Sequence, residues 1–179
     1  MFEQLLNQYF VQTGLGWAMA GAMIAVMGGG VGSARGIRVA AAQAAGVLSE
    51  KPELFGKLLV LIALPGTQGF YAFISAVFIA IRIGLLGGNV TVPPVIGLGI
   101  FFVGVAMGVV QWRSALYQGE TSAAAINYVA KKPDEAGRAI ILPAMVETYA
   151  VLALLASVLM TLWLTREGLT VANPLAGGS

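Results

Sequence analysis

One carboxylate of this chain lies near the middle of a long apolar stretch. Glu147 occurs in the segment IILPAMVETYAVLALL, residues 140–155, in which it is the only charged residue. Placing an ionised side chain at the centre of a bilayer costs at least about 2.5–3.5 kcal/mol, so such residues usually mark an ion or proton path. We therefore predict that Glu147 binds an ion.

A second apolar stretch carries polar residues at helical spacing. Thr67, Gln68 and Tyr71 are three or four positions apart in the segment LPGTQGFY, so they line one face of a helix. Pro65 has no backbone N–H and disturbs the turn before it, which leaves carbonyls near Leu61 to Leu64 available to a ligand. This face is expected to present oxygen atoms to an ion.

Gln118 adds a third helix to the same level. Pro133 lies almost midway between Gln118 and Glu147 in the sequence, so a hairpin at this proline places the two side chains at similar depth. Carboxylate, hydroxyl, amide and carbonyl oxygens with one negative charge suit a monovalent cation such as Na⁺, whereas Ca²⁺ takes about 6–8 oxygens and commonly more than one carboxylate. A proton would need only the carboxylate and the Tyr71 hydroxyl, so H⁺ stays an alternative.

The composition requires a membrane protein. The chain has 179 residues, is 58% hydrophobic and 10% charged, and has a mean hydropathy of +0.86. Four apolar stretches reach the roughly 20 residues that a membrane helix needs, at about residues 14–48, 55–86, 94–129 and 136–165. The chain has no Cys and no His, which excludes disulfides and imidazole catalysis. A net charge of +2 gives no indication of nucleic-acid binding.

The sequence contains an internal duplication. Sliding the chain along itself without a gap, so that Lys51 meets Lys132, pairs KPE at 51–53 with KPD at 132–134 and Ala63 with Ala144. The fold class predicted is therefore an all-α membrane protein with four transmembrane helices, arranged as two tandem hairpins in parallel repeat. The first hairpin, 14–86, has Gly66 where the second, 94–165, has Glu147. The first and third helices are rich in small residues, which predicts a tightly packed inner layer.

Basic residues predict the orientation. They concentrate at the two hairpin loops, so by the positive-inside rule the loops are cytoplasmic, and both termini and the turn at residues 87–94 face outward. The loop cluster comprises Lys51, Lys57, Lys131, Lys132 and Arg138.

The motifs GVGSARG at 30–36, LPGTQGFY at 64–71, YQG at 117–119, VAKKP at 129–133 and MVETYA at 145–150 resemble the proteolipid of V/A-type rotary ATPases, in its sodium-transporting bacterial branch. The resemblance implies a homo-oligomeric ring, embedded in lipid, with the first and third helices inside. It implies a neighbouring stator subunit with an essential arginine, and a central stalk that contacts the loops at Lys51–Pro52 and Lys132–Pro133. The chain itself would catalyse no reaction. The ligands implied for Na⁺ are Leu64, Thr67, Gln68, Gln118 and Glu147, with Tyr71 hydrogen-bonded to the carboxylate.

Some questions stay open at this stage. Gln111, one heptad before Gln118, is an alternative ligand, and the sequence offers no account of Arg35, Arg113 or Glu120. Three other functions compete with the sodium ring. They are a proton-carrying ring, a small secondary transporter whose hairpins rock, and a structural scaffold, which would leave Glu147 unexplained.

Overall fold

Four helices long and apolar enough to cross a membrane make up most of the computed structural model, which describes residues 1–88 and 92–166. The four spans are Leu15–Glu50, Pro52–Arg82, Pro94–Lys131 and Pro133–Leu164. Each hairpin loop is a single lysine followed by a proline at the start of a 3-10 turn. Proline suits that place because the first helical N–H has no partner within the helix.

Within these spans the helical segments are shorter. In chain order the α-helices cover Phe2–Leu6, Leu15–Glu50, Phe55–Ala63, Thr67–Arg82, Pro94–Lys131, Ala136–Ala139 and Ile141–Leu164. The 3-10 turns cover Pro52–Leu54, Leu64–Gly66, Leu85–Gly87 and Pro133–Glu135, and Asn7–Gln12 is a π-helical turn. The second span is thus two α-helices joined at Pro65.

The first and third spans pack against each other along most of their length, backbone to backbone. A Cβ added at Gly119 would come within 2.5 Å of the Gly36 Cα, and one added at Gly28 would overlap the backbone of Gly108. Small residues permit this approach, and in lipid such packing replaces the missing hydrophobic attraction between helices. The glycines at this contact are Gly14, Gly21, Gly28 and Gly36 facing Gly97, Gly104, Gly108 and Gly119.

The second and fourth spans flank this pair and touch each other. Ser75 and Ser157 hydrogen-bond across them at 2.9 Å, and Arg82 donates from Nε to the Thr165 hydroxyl at 2.9 Å. At the loop end, Lys51 donates to the Ala130 carbonyl at 2.6 Å. These bonds connect the hairpins at both ends.

Two apolar clusters hold the bundle, with polar residues between them. The cluster nearer the loops includes Leu58, Leu61 and Ile126, and the cluster at the opposite end includes Ile79 and Ile100. The fully buried Gln68, Gln111 and Gln118 lie between the clusters. Because buried amides must find partners within the protein, side-chain hydrogen bonds also join the helices at this level.

The N-terminal helix is a feature that the sequence did not predict. In it, Phe10 packs edge-to-face on Trp17 at 5.3 Å between ring centroids, and the Phe10 carbonyl accepts from the indole N–H at 3.1 Å. The predicted outward turn falls in part on residues 89–91, and the predicted outward C-terminus on residues 167–179; both lie outside the described residues.

Candidate ion-binding site

The bend in the second span begins the site. Pro65 cannot donate a backbone hydrogen bond, and the chain responds with the 3-10 turn Leu64–Gly66. The sequence predicted free carbonyls near this proline. The Leu64 carbonyl is bonded instead: it accepts from the Thr67 N–H and, at 3.0 Å, from the Thr67 hydroxyl. As an ion ligand it would require that hydroxyl to turn away.

Gln68 connects the second span to the third. Its side chain is fully buried, and its Nε2 donates to Gln118 Oε1 at 2.5 Å and to the Ser114 hydroxyl at 3.4 Å. Its Oε1 accepts from the Thr67 hydroxyl at 3.4 Å. The amide therefore bridges the oxygen groups of two helices.

Glu147 on the fourth span is held at both carboxylate oxygens. The Tyr71 hydroxyl donates to Oε1 at 2.6 Å, and Gln118 Nε2 donates to Oε2 at 3.3 Å. Gln118 Nε2 also donates to the Pro143 carbonyl at 3.1 Å. The carboxylate is half-buried in a groove open at the bundle surface and formed with Ala144, Thr148, Val151 and Leu152.

The sequence-predicted residues thus meet in one continuous chain of hydrogen bonds. The chain runs through Leu64, Thr67, Gln68, Gln118, Glu147 and Tyr71. Every member is neutral except Glu147, and no basic side chain in residues 1–88 or 92–166 forms an ion pair with it. Charge balance at this acid has to come from a bound cation, a proton or a partner subunit.

The chemistry available is that of a site with one acid and several neutral oxygens. No group of three or more Asp, Glu, His or Cys side chains converges in the described part of the chain, so a multivalent metal centre has no ligand cluster there. Hydroxyl, amide and carboxylate oxygens are hard ligands, which suit alkali and alkaline-earth cations more than soft metals. One carboxylate neutralises one monovalent charge.

Gln111 does not reach the carboxylate. Its Nε2 donates to the Ala150 carbonyl at 2.8 Å, and its buried Oε1 has no partner among the described residues. Glu147 therefore has Gln118, and not Gln111, as its amide neighbour. The use of these residues as ion ligands stays a prediction.

Two contributors to the site were not predicted from the sequence. Ser114 lies between Gln68 and the fourth span, where its hydroxyl donates to the Val146 carbonyl at 3.3 Å. The second is the carbonyl of Pro143. A signal for Ser114 existed, because it lies four residues before Gln118 and so on the same helical face. The contribution of the Pro143 carbonyl could not be predicted, because every residue has a backbone carbonyl.

The charged residues left unexplained by the sequence lie on the surface of the chain. Arg113 donates to the Tyr117 hydroxyl at 2.6 Å, and its guanidinium lies 5.1 Å from the centre of that ring. Arg35 and Glu120 are exposed. None of the three forms an ion pair within the described residues.

Comparisons with known proteins place the chain in one family. The ATP synthase C-subunit family matches the chain twice, at residues 20–79 and 101–160. The K subunit of the V-type sodium ATPase of Enterococcus hirae is 37% identical over 162 residues, which cover 90% of this chain and 99% of that protein. The K subunit of the A-type ATP synthase of Methanocaldococcus jannaschii is 36% identical over 147 residues, which cover 82% of this chain and 63% of that protein.

Proposed function

Because the chain belongs to the ATP synthase C-subunit family, we propose that each copy carries one Na⁺ at Glu147 while a ring of copies rotates against a stator. The chain is a multi-pass membrane protein and a rotor-ring subunit of the V-type kind. The predicted all-α fold class with four spans is thereby confirmed. The ring, which the sequence also predicted, is the assembly typical of this family.

One observation carries the proposal of sodium. A single acid is joined through Gln118 and Gln68 to Thr67, so four oxygen-bearing side chains on three spans lie within one hydrogen-bonded chain. A proton carrier requires only the carboxylate and one donor, so the buried amides would have no function beyond bonding to each other. The similarity to a sodium ATPase subunit supports the same choice.

Sodium would be held by exchanging its water shell for protein oxygens. In our proposal the ion contacts Glu147 and the oxygens of Thr67, Gln68, Gln118 and Leu64. The Thr67 hydroxyl then turns from the Leu64 carbonyl, to which it now donates. Tyr71 remains bonded to the carboxylate and fixes its orientation. With Na⁺ in place the side chain is neutral overall, and its contact with lipid carries no charge penalty.

The same energetics couple rotation to transport. A bare carboxylate in the bilayer costs about 2.5–3.5 kcal/mol or more, so Glu147 can release its ion only where a cationic group replaces it. We propose that this group is an arginine of the stator subunit, facing the groove beside Glu147. Movement of the ring without an ion or this partner would expose an uncompensated charge to hydrocarbon.

The loop end is proposed to face the cytoplasm and contact the central stalk. Lys51 and Lys57 donate to carbonyls of the other hairpin, at Ala130 and Pro133. Lys131 and Lys132 are exposed and form no ion pair within the described residues. The Lys132–Pro133 loop therefore has more free basic charge for a partner than the Lys51–Pro52 loop.

Carbodiimide labelling tests the proposed ion. The reagent modifies a protonated, accessible carboxyl, so bound Na⁺ should protect Glu147, and a Glu147→Gln variant should not be labelled at this position. Labelling of purified rings is followed by mass spectrometry over a series of Na⁺ concentrations. Labelling that does not change with Na⁺ would contradict the sodium site and favour the proton ring.

Two glutamines on the same helix give a matched comparison. Gln118→Ala removes an amide bonded to the carboxylate, and a hydrogen bond to a charged group contributes about 1.5–3 kcal/mol. The Na⁺ concentration for half protection should therefore rise about 10- to 150-fold. Gln111→Ala, equally buried but without a bond to Glu147, should leave that concentration unchanged. Equal effects of the two variants would contradict the assignment of Gln118.

A further inference from the structure

Two opposite charges on the inner helices have no part in the ion site. Arg38 on the first span and Glu120 on the third are both exposed. Neither side chain makes a hydrogen bond or an ion pair within the described residues, where Arg138 and Glu135 form the one salt bridge. Both lie well inside apolar spans, where an unpaired charge is unfavourable.

The two side chains lie at the same depth. Arg38 precedes Pro52 by nearly the same number of positions as Glu120 precedes Pro133. Since each span runs as an unbroken α-helix to its loop, both separations correspond to about 20 Å along the helix axis. The depth is also that of Glu147, which follows Pro133 at a similar separation on the fourth span.

Arg38 and Glu120 both point to the inner side of the bundle, and they form no ion pair within the described residues of one copy. Each residue turns a helix by about 100°, and Gly36 points at the third span through its contact with Gly119. Gly36 also meets Pro65 of the second span, so Arg38, about 200° farther round the helix, points away from the second span and toward the inner side of the bundle. There it lines a groove with Ala123 of its own third span. Gln118 points toward the outer spans, so Glu120 points away from them, toward the inner side of the bundle.

In a ring, those directions bring the charges together. With the first and third spans on the inside, the third span of one copy lies next to the first span of the following copy. The exposed inner face of the first span, which carries Arg38, then lies beside the neighbour's third span. A separation of about 8–10 Å between packed helix axes is within the combined reach of an arginine and a glutamate.

We propose that Glu120 of each copy forms an ion pair with Arg38 of the adjacent copy, giving a belt of ion pairs on the inner side of the ring at the depth of the ion site. This inference rests on the ring assembly of the proposed function. The partner is a second copy of this chain. Arg35 is a weaker candidate because it lies about one helical turn farther from the loops than Arg38 and points about 60° to one side of it.

Cysteine cross-linking tests the contact directly, because the chain has no native Cys. A double variant, Arg38→Cys with Glu120→Cys, should give a ladder of covalent multimers on oxidation, seen in denaturing gels. Each single variant should give no ladder, and Arg35→Cys with Glu120→Cys should give a much weaker one. Monomers alone from the first double variant would overturn the proposal.

Charge exchange tests the interaction energy. Glu120→Gln and Arg38→Gln should each lower the temperature at which the detergent-solubilised ring dissociates, and Arg38→Glu combined with Glu120→Arg should restore it. If Arg38→Gln lowers this temperature but Glu120→Gln does not, the pair is overturned, since the arginine would then bind another group such as an anionic lipid headgroup. The pair would also be overturned if the double exchange variant were no more stable than Arg38→Glu or Glu120→Arg alone.

Native mass spectrometry and sodium protection separate the two proposals. An intact wild-type ring with a sodium-protected Glu147 but no ladder from the double variant refutes the ion pair only. A wild-type chain that forms no ring refutes the ring assembly and, with it, the ion pair.

Discussion

Glu147 accepts hydrogen bonds at both of its oxygens, from Tyr71 at 2.6 Å and from Gln118 at 3.3 Å. The two donors come from different spans: the hydroxyl belongs to the neighbouring outer span and the amide to an inner span. Together they fix the carboxylate in a defined orientation. Such preorganisation lowers the cost of ordering the site when a ligand binds.

Removal of the Tyr71 hydroxyl should weaken ion binding. A Tyr71→Phe variant keeps the aromatic side chain but loses a hydrogen bond to a charged group, and such a bond contributes about 1.5–3 kcal/mol. We expect the Na⁺ concentration for half protection of Glu147 to rise about 10- to 150-fold. Tyr149→Phe is the control, since Tyr149 is 69% exposed and makes no hydrogen bond with described residues. Equal protection in Tyr71→Phe and wild type would show that the hydroxyl does not support the ion-bound state.

Much of the site follows from the sequence, because the helical spacing of residues and their distance from a loop proline can both be counted along the chain. Those two measures place Thr67, Gln68 and Gln118 near the carboxylate, and the hydrogen bonds agree. The bonding of Leu64 did not follow, because whether a 3-10 turn satisfies a carbonyl depends on local backbone geometry. The choice between Gln118 and Gln111 depended on helix rotation, which only packing determines.

At the scale of the helices, the first and third spans determine how closely everything else can pack. Their glycines bring two backbones into contact, and the outer spans then pack on this pair. Hydropathy predicts the four spans, because about 20 apolar residues are needed to cross the bilayer. It did not predict the N-terminal helix, where Asn7, Gln8 and Gln12 interrupt the apolar pattern and contacts such as Phe10 with Trp17 support the segment.

Adding one methyl group at the inner contact should destabilise the bundle. In Gly28→Ala the new Cβ meets the Gly108 backbone, which cannot move aside cheaply, and overpacking costs about 1–3 kcal/mol or more. Gly46→Ala, on the same helix, meets nothing within 4 Å and should gain about 0.5–1 kcal/mol from reduced backbone entropy. Thermal unfolding in detergent measures both. A Gly28→Ala variant as stable as Gly46→Ala would contradict the close packing.

At the scale of the whole molecule, the two hairpins behave as one unit with distinct ends. Lys51 and Lys57 bond across to the other hairpin at the loop end, and Arg82 bonds to Thr165 at the opposite end. The lysines of both hairpins, Lys51, Lys57, Lys131 and Lys132, therefore lie at the loop end. That is the side expected to be cytoplasmic.

Single-cysteine labelling tests this orientation. Ser49→Cys, exposed beside the first hairpin loop, should react with a membrane-impermeant maleimide in inside-out vesicles but not in intact cells. Gln12→Cys, exposed at the opposite end, should show the reverse accessibility. Labelling of Ser49→Cys from outside intact cells would reverse the assigned topology.

Because the first hairpin has Gly66 at the repeat position of Glu147, each copy has one such acid for its four membrane spans. If each copy loads one ion, the ring turns by one whole four-helix copy for every ion moved, which is a wide angle per step. In the proposed rotor, a fixed amount of ATP per revolution is then coupled to fewer ions, and each ion is linked to a larger share of the free energy. Such a rotor would move fewer ions per revolution but could work against a steeper gradient of the ion that it carries.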